Sequence, residues 1–69
     1  MDELTNQIAV LRAGRQISQT ELAEAIGVSR KTISTVETGR FTPSVIIALK
    51  LAKFFDVPVE QIFTLNNVS

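Results

Sequence analysis

The stretch SQTELAEAIGVSRKTISTVETG, residues 18–39, contains two helix starts and two helix stops in close succession. Ser18-Gln19-Thr20-Glu21 is a capping box: the Ser18 hydroxyl can accept from the Glu21 amide while the Glu21 carboxylate reaches back, and Ile17 can staple onto Leu22 across the cap. The helix this opens runs through Leu22, Ala23 and Ile26 and stops at Gly27, a residue suited to the left-handed position after a helix. Ser29 caps the next helix, with Val28 and Ile33 repeating the staple spacing, and Gly39 ends it. Two short helices joined by the tight turn Gly27-Val28-Ser29 have the form of a helix-turn-helix, whose second helix can enter the DNA major groove. A plain helical hairpin has the same form, so the surface chemistry of the second helix has to decide.

At about 100° per residue, Ile33, Val36 and Glu37 share one side of that helix. Lys31, Ser34, Thr35 and Thr38 take the other, with Arg30 at its start. Ordinary solvated faces mix Glu with Lys, whereas this one has two cations, three hydroxyls and no carboxylate. Arg or Lys at its N-terminal end can reach guanine O6 and N7 or, equally, phosphate oxygens. Glu37 lies on the inward side and needs a cation to meet it; Arg12 is the candidate.

Outward from this segment, Leu4, Ile8 and Leu11 recur at helical spacing and predict a first helix ending near Gly14. A fourth helix is expected over roughly 45–55, capped by Ser44, or by Thr42 with Pro43 in the first turn. Pro58 fits the first turn of a short fifth helix through Val59–Phe63. No alternating strand pattern is visible, so the expected class is all-α. The tail from Thr64 to Ser69 is either loose or a short partner-contacting strand. Helix four has one apolar face of Val45, Ala48, Leu49, Ala52 and Phe55, assigned to the core, and a second stripe of Ile47, Leu51 and Phe54. A small domain cannot easily cover both sides of one helix. Either helix five and the tail cover this second stripe or a second copy of the chain does, with Phe63, Leu65 and Val68 able to add to the patch. A two-fold dimer through Ile47, Leu51, Phe54 and Leu65 is the expectation, because operator symmetry and doubled contacts also favour it.

Sixty-nine residues predict one domain, 1–69, with one core. With neither Cys nor His, disulfides are excluded and a zinc site has none of its usual nitrogen or sulfur ligands. No cofactor and no small-molecule ligand is expected. The start Met1-Asp2-Glu3 is unlike a secretory signal, and no apolar run approaches the roughly 20 residues of a membrane span, so a cytoplasmic location is expected. Seven basic and seven acidic side chains cancel, so any affinity for DNA must come from how charge is distributed. An enzyme is the weakest reading, since no His, Cys or Tyr offers a ready base or nucleophile and the carboxylates are scattered. A protein-interaction module, or an antitoxin joining partner binding to DNA binding, is the rival that neutrality and the second apolar stripe favour.

Ser18-Gln19-Thr20-Glu21-Leu22-Ala23, Gly27-Val28-Ser29, Thr32-Ile33-Ser34 and Val36-Glu37-Thr38-Gly39 resemble the phage-repressor and Cro-like, or XRE-type, helix-turn-helix family. The likeness continues through Pro43-Ser44, Ala48-Leu49, Ala52 and Val57 to Ile62-Phe63. It implies a compact five-helix, lambda-repressor-like domain with the motif formed by helices two and three. It implies a DNA-binding regulator, expected to repress as a homodimer on an inverted repeat of double-stranded DNA. Arg30, Lys31, Ser34 and Thr35 fall where such proteins touch base edges. Gln19, Thr38 and Arg40 fall where they touch phosphate, Gln19 also bracing the recognition helix. Arg12 and Glu37 fall where the family joins helix one to helix three by an ion pair. The family often offers Gln or Asn for adenine at the reading positions; Arg30 and Lys31 suit guanine instead.

Overall fold

The computed structural model describes residues 2–67. Five helices, α1 (Ile8–Arg15), α2 (Gln19–Ile26), α3 (Arg30–Glu37), α4 (Val45–Phe55) and α5 (Val59–Ile62), are flanked by strands β1 (Asp2–Asn6) and β2 (Phe63–Asn67). The helix starts follow from local chemistry. Ser18 accepts from the Glu21 amide at 3.0 Å while Glu21 Oε1 accepts from the Ser18 amide at 3.0 Å, closing the capping box. Ser29 accepts from the Thr32 amide and Ser44 from the Ile47 amide. Gly27 and Gly39 take left-handed φ of 76° and 79°, turning the chain after α2 and α3. Helix α1 continues through Gly14, and Gln16, at φ 57°, ends it in the left-handed conformation.

The all-α expectation requires correction. β1 and β2 pair antiparallel, Leu4 opposite Leu65 and Asn6 opposite Phe63, so the two ends of the described chain form a small sheet. Leu4 thus belongs to a strand and not to the first helix, and the tail pairs within its own chain as far as Asn67; Val68 lies outside the described residues. The pairing joins segments some sixty positions apart, which local periodicity cannot register. Asn6 fastens this sheet to the helices. Its Oδ1 accepts from the Ile8 amide at 3.1 Å, standing in for a cap on α1, and its Nδ2 donates to the Val36 and Glu37 carbonyls, each at 3.2 Å, at the end of α3.

The core is Ile8, Leu22, Ala23, Ile26, Ile33, Val36, Leu51, Phe55 and Ile62, drawn from every helix. It reverses the two faces assigned to α4. Leu51, expected at a subunit interface, is fully buried within the single chain, and Ile47 and Phe54 pack half-buried against the same core. Val45 and Leu49, expected inside, are 75% and 54% exposed, and Ile46 beside them is 66% exposed. Ala52 is half-buried against the core, and Phe55 alone of the expected inward set is fully within it. The cause is compositional: nine of the eleven residues of VIIALKLAKFF are apolar, so the pattern offers two candidate faces and only packing against α2 and α5 selects between them.

The two stripes therefore respond differently to truncation. Leu51→Ala is expected to destabilise by about 2–5 kcal/mol through the cavity it leaves. Leu49→Ala should stay within about 0.5 kcal/mol under conditions where the chain is monomeric. Chemical denaturation of both variants at low concentration checks the assignment, and equal losses would refute it.

Candidate nucleic-acid interface

Helix α3 is held by its inner side and open on its outer side. Ile33 and Val36 are buried in the core, whereas Arg30, Lys31 and Thr38 are exposed and Ser34 and Thr35 half-buried. Among the described residues no carboxylate lies within ion-pairing distance of Arg30, Lys31 or Arg40. The single acid of α3, Glu37, is turned inward onto Arg12. Arg12 Nη2 donates to Glu37 Oε1 at 2.8 Å and Nε to Oε2 at 2.9 Å, a two-bonded pair whose side chains are 18% and 12% exposed. Arg12 Nη1 also donates to the Ile17 carbonyl at 3.0 Å, so one guanidinium joins α1, the turn before α2 and the end of α3. Hydrogen bonding to Arg12 holds the Glu37 carboxyl below the usual carboxylate range, against the opposing cost of burial; the same bond raises Arg12 further.

Gln19, half-buried in the first turn of α2, extends the pair outward. Its Nε2 donates to Glu37 Oε1 at 3.3 Å, and its Oε1 accepts from Arg30 Nη1 at 3.3 Å. The structure thus brings Arg12, Glu37, Gln19 and Arg30 into one chain of contacts. Thr38 and the exposed Arg40 lie past the other end of α3. The loop there is pinned by the Thr35 carbonyl, which accepts from the amides of Arg40 at 3.0 Å and Phe41 at 3.3 Å. The Thr35 hydroxyl donates to the Lys31 and Thr32 carbonyls and that of Thr38 to Ser34 at 2.9 Å. With its hydrogen so engaged each oxygen is left as an acceptor, and Thr38 can donate to a phosphate only after its hydroxyl rotates. Of the expected interface set, Leu65 is 67% exposed on β2, while Leu51 is core and Ile47 and Phe54 are half-buried. Phe54 instead stacks on Arg15, whose guanidinium carbon is 5.1 Å from its ring centre.

Sequence reasoning missed Asn6 and the 66% exposed Phe41. Asn6 carries a readable signal, since an Asn two residues before a helix start can cap it. Phe41 carries none.

Two capped helices around a left-handed Gly27, with cations and hydroxyls outward on the second, define the DNA-binding domain of a transcriptional regulator. Residues 8–62 match the helix-turn-helix family, and the chain belongs to that family, of the XRE type. It is 43% identical over 60 residues to an uncharacterized HTH-type transcriptional regulator of Methanocaldococcus jannaschii, covering 87% of this chain and 91% of that one. It is 39% identical over 63 residues to the uncharacterized HTH-type regulator YgzD of Bacillus subtilis, covering 91% and 96%. The cryptic phage CTXphi transcriptional repressor RstR of Vibrio cholerae is 36% identical over 58 residues, 84% of this chain and 52% of that protein. Among solved structures, a Bacteroides fragilis protein described as a candidate DNA-binding protein superposes with a TM-score of 0.77 at 31% identity, over 88% of this chain and 98% of that one. No helix among the described residues is long and apolar enough to cross a membrane.

Because the Glu37 pKa is lowered on folding, its contribution to stability is complete above the ordinary Glu value of about 4.3 and is lost as pH falls through the depressed folded value. Glu37→Gln should flatten this acid limb of stability. Arg12→Ala at neutral pH should cost about 2 kcal/mol, between the under 1 of an exposed pair and the 3–5 of a buried one. Thermal melts from pH 3 to 7 test both, and an acid limb unchanged by Glu37→Gln would remove the pair as its source.

Proposed function

We propose that residues 1–69 act as one sequence-specific DNA-binding unit that represses transcription as a homodimer, each copy placing α3 in the major groove of one half of an inverted repeat. The observation that carries this is the outer face of α3, where Arg30 and Lys31 stand exposed with Ser34 and Thr35 beside them and no acid among them. In this reading Arg30, Lys31, Ser34 and Thr35 meet base edges, the cations suiting the paired acceptors of guanine and the threonine oxygen suiting an amino group of adenine or cytosine. Gln19, Thr38 and Arg40 meet phosphate and fix the register. Occupation of a promoter by such a unit excludes other proteins from the same groove, and RstR, a relative over most of this chain, is a repressor by name.

Dimerisation is supported by apolar surface that the single chain leaves open. Val45, Ile46 and Leu49 on α4 are more than half exposed and take the place of Ile47, Leu51 and Phe54, while Leu65 of the expected set is also more than half exposed. Two bodies of 37 × 22 × 21 Å related by a two-fold axis are of a size to set their third helices one helical turn of DNA apart, about 34 Å. The same apolar surface would suit a different protein partner, so hydrodynamic size decides between a second copy and another occupant.

Four variants test the proposal. Arg30→Ala or Lys31→Ala should each cost about 1–3 kcal/mol and relax one base position if the residue reads guanine. Selection of bound DNA from a random pool, repeated with each variant, reads this directly; full retention of binding by the double variant would overturn α3 as the reading helix. Leu49→Glu should leave the fold intact but abolish the dimer in sedimentation. Wild-type chain that remains monomeric at high concentration, while binding single half-sites as tightly as paired ones, would overturn the dimer.

A further inference from the structure

Phe41 is 66% exposed, and neither the core nor the contacts proposed for α3 use it. Its backbone nevertheless ties it to the reading helix. The Thr35 carbonyl accepts from the Arg40 amide at 3.0 Å and from the Phe41 amide at 3.3 Å, after left-handed Gly39 has turned the chain. Both amides are thereby engaged by α3 and are not offered to a phosphate. What the loop presents to solvent is side chain: the guanidinium of Arg40 and, next to it, an aromatic ring. Among the described residues, the other large exposed apolar side chains lie on α1, α4 or the sheet. Of this group, only Phe41 is hydrogen-bonded through its backbone to a residue of the reading face.

We infer that the Phe41 ring packs on the deoxyribose beside the phosphate that Arg40 meets, adding an apolar contact to the DNA backbone at the end of α3. The inference rests on α3 reading DNA in the major groove. Each strand of a duplex alternates anionic phosphates with sugars whose carbon–hydrogen surface is apolar. Adjacent Cα atoms are about 3.8 Å apart, so neighbouring side chains can take a phosphate and the sugar next to it. A ring left in water gains by covering such a surface and gains nothing from a phosphate. The charge of the chain gives this contact its weight. Affinity from counterion release grows with the number of phosphates neutralised, and the cations on α3 and in the loop after it are only Arg30, Lys31 and Arg40. Two of those are assigned to bases. Buried apolar surface, which does not depend on salt, therefore carries a larger share of binding here than in a strongly basic domain. Because every nucleotide has the same sugar, the contact adds affinity for any sequence that α3 can enter.

Binding of Phe41→Ala, Phe41→Leu and Arg40→Ala, over a range of salt, to a duplex selected from a random pool and to one of unrelated sequence tests the contact. Phe41→Ala should melt with the wild type, since the ring is mostly exposed, and should sediment with it in the absence of DNA. Its affinity should fall about tenfold or more on both duplexes, by the same factor at every salt concentration, with Phe41→Leu recovering part of the loss. Arg40→Ala should instead reduce the dependence of log affinity on log salt by about one unit. In the complex, nuclear Overhauser contacts from the Phe41 ring should reach deoxyribose protons and not base protons. Undiminished affinity of Phe41→Ala, while Arg30→Ala with Lys31→Ala abolishes binding, would overturn the contact and leave α3 as the reading helix. Full binding by that double variant would sink the reading by α3 itself. A loss confined to one base position would make Phe41 a base contact, and a loss of the dimer without DNA would give the ring to the second copy; either result overturns the sugar contact.

Discussion

The doubly bonded contact between Arg12 and Glu37 is the constraint on which the other arrangements depend. A carboxylate on the inner side of α3 would oppose burial of that helix unless a cation neutralised it. Once Arg12 does so, α3 cannot rotate about its axis without breaking two charge-assisted bonds, and the direction of its outer face is fixed. The third donor of Arg12, to the Ile17 carbonyl, sets the approach to the Ser18 cap and hence the start of α2. An apolar pair in the same place would bury as well or better, but it would not select one rotation of α3.

A chain of this length has little core to spend on errors of local structure. The nine buried side chains among the described residues are held by helices of four to eleven residues, each too short to persist alone in water. Side-chain caps at Ser18, Ser29 and Ser44 satisfy the first amides of three of them, and Asn6 serves two helices from outside both. The sheet joins the segments before α1 and after α5, and the bond from the Gln7 amide to the Ile62 carbonyl at 2.8 Å closes the body at that junction.

The parts of this fold that were legible in the sequence are those decided within a few residues. Caps, left-handed glycines and the spacing of Leu22, Ile26, Ile33 and Val36 name α2 and α3 almost to their ends. Arg12 and Glu37 could be matched because a buried carboxylate demands a partner and a family resemblance indicated which. The sheet was not legible, because Asp2–Asn6 and Phe63–Asn67 each lack a strand pattern and become strands only by meeting one another. The orientation of α4 was not legible for the opposite reason: an excess of apolar residues satisfied two rotations equally, and the choice of Leu51 and Phe55 for the interior is made by the shape of α2 and α5 around it. That Gln19 braces α3 was indicated by the family resemblance, whereas its bonding partners, Glu37 and Arg30, are set by its neighbours in space.

Zero net charge gives the chain no general attraction for DNA, so whatever affinity it has must be local. The fold arranges for this by spending one acid and one base on each other. Arg12 is withdrawn from solvent, and Glu37, the acid nearest in sequence to the reading face, is withdrawn with it, leaving Arg30, Lys31 and Arg40 without an acid at ion-pairing distance among the described residues. Such an arrangement favours discrimination over bare affinity. Cations scattered over a neutral surface bind any duplex weakly, whereas a few held on a face of fixed rotation lose less entropy on meeting the sequence that fits them. In the proposed mode of binding, the ion pair that fixes the rotation of α3 is therefore also the source of a neutral chain's selectivity.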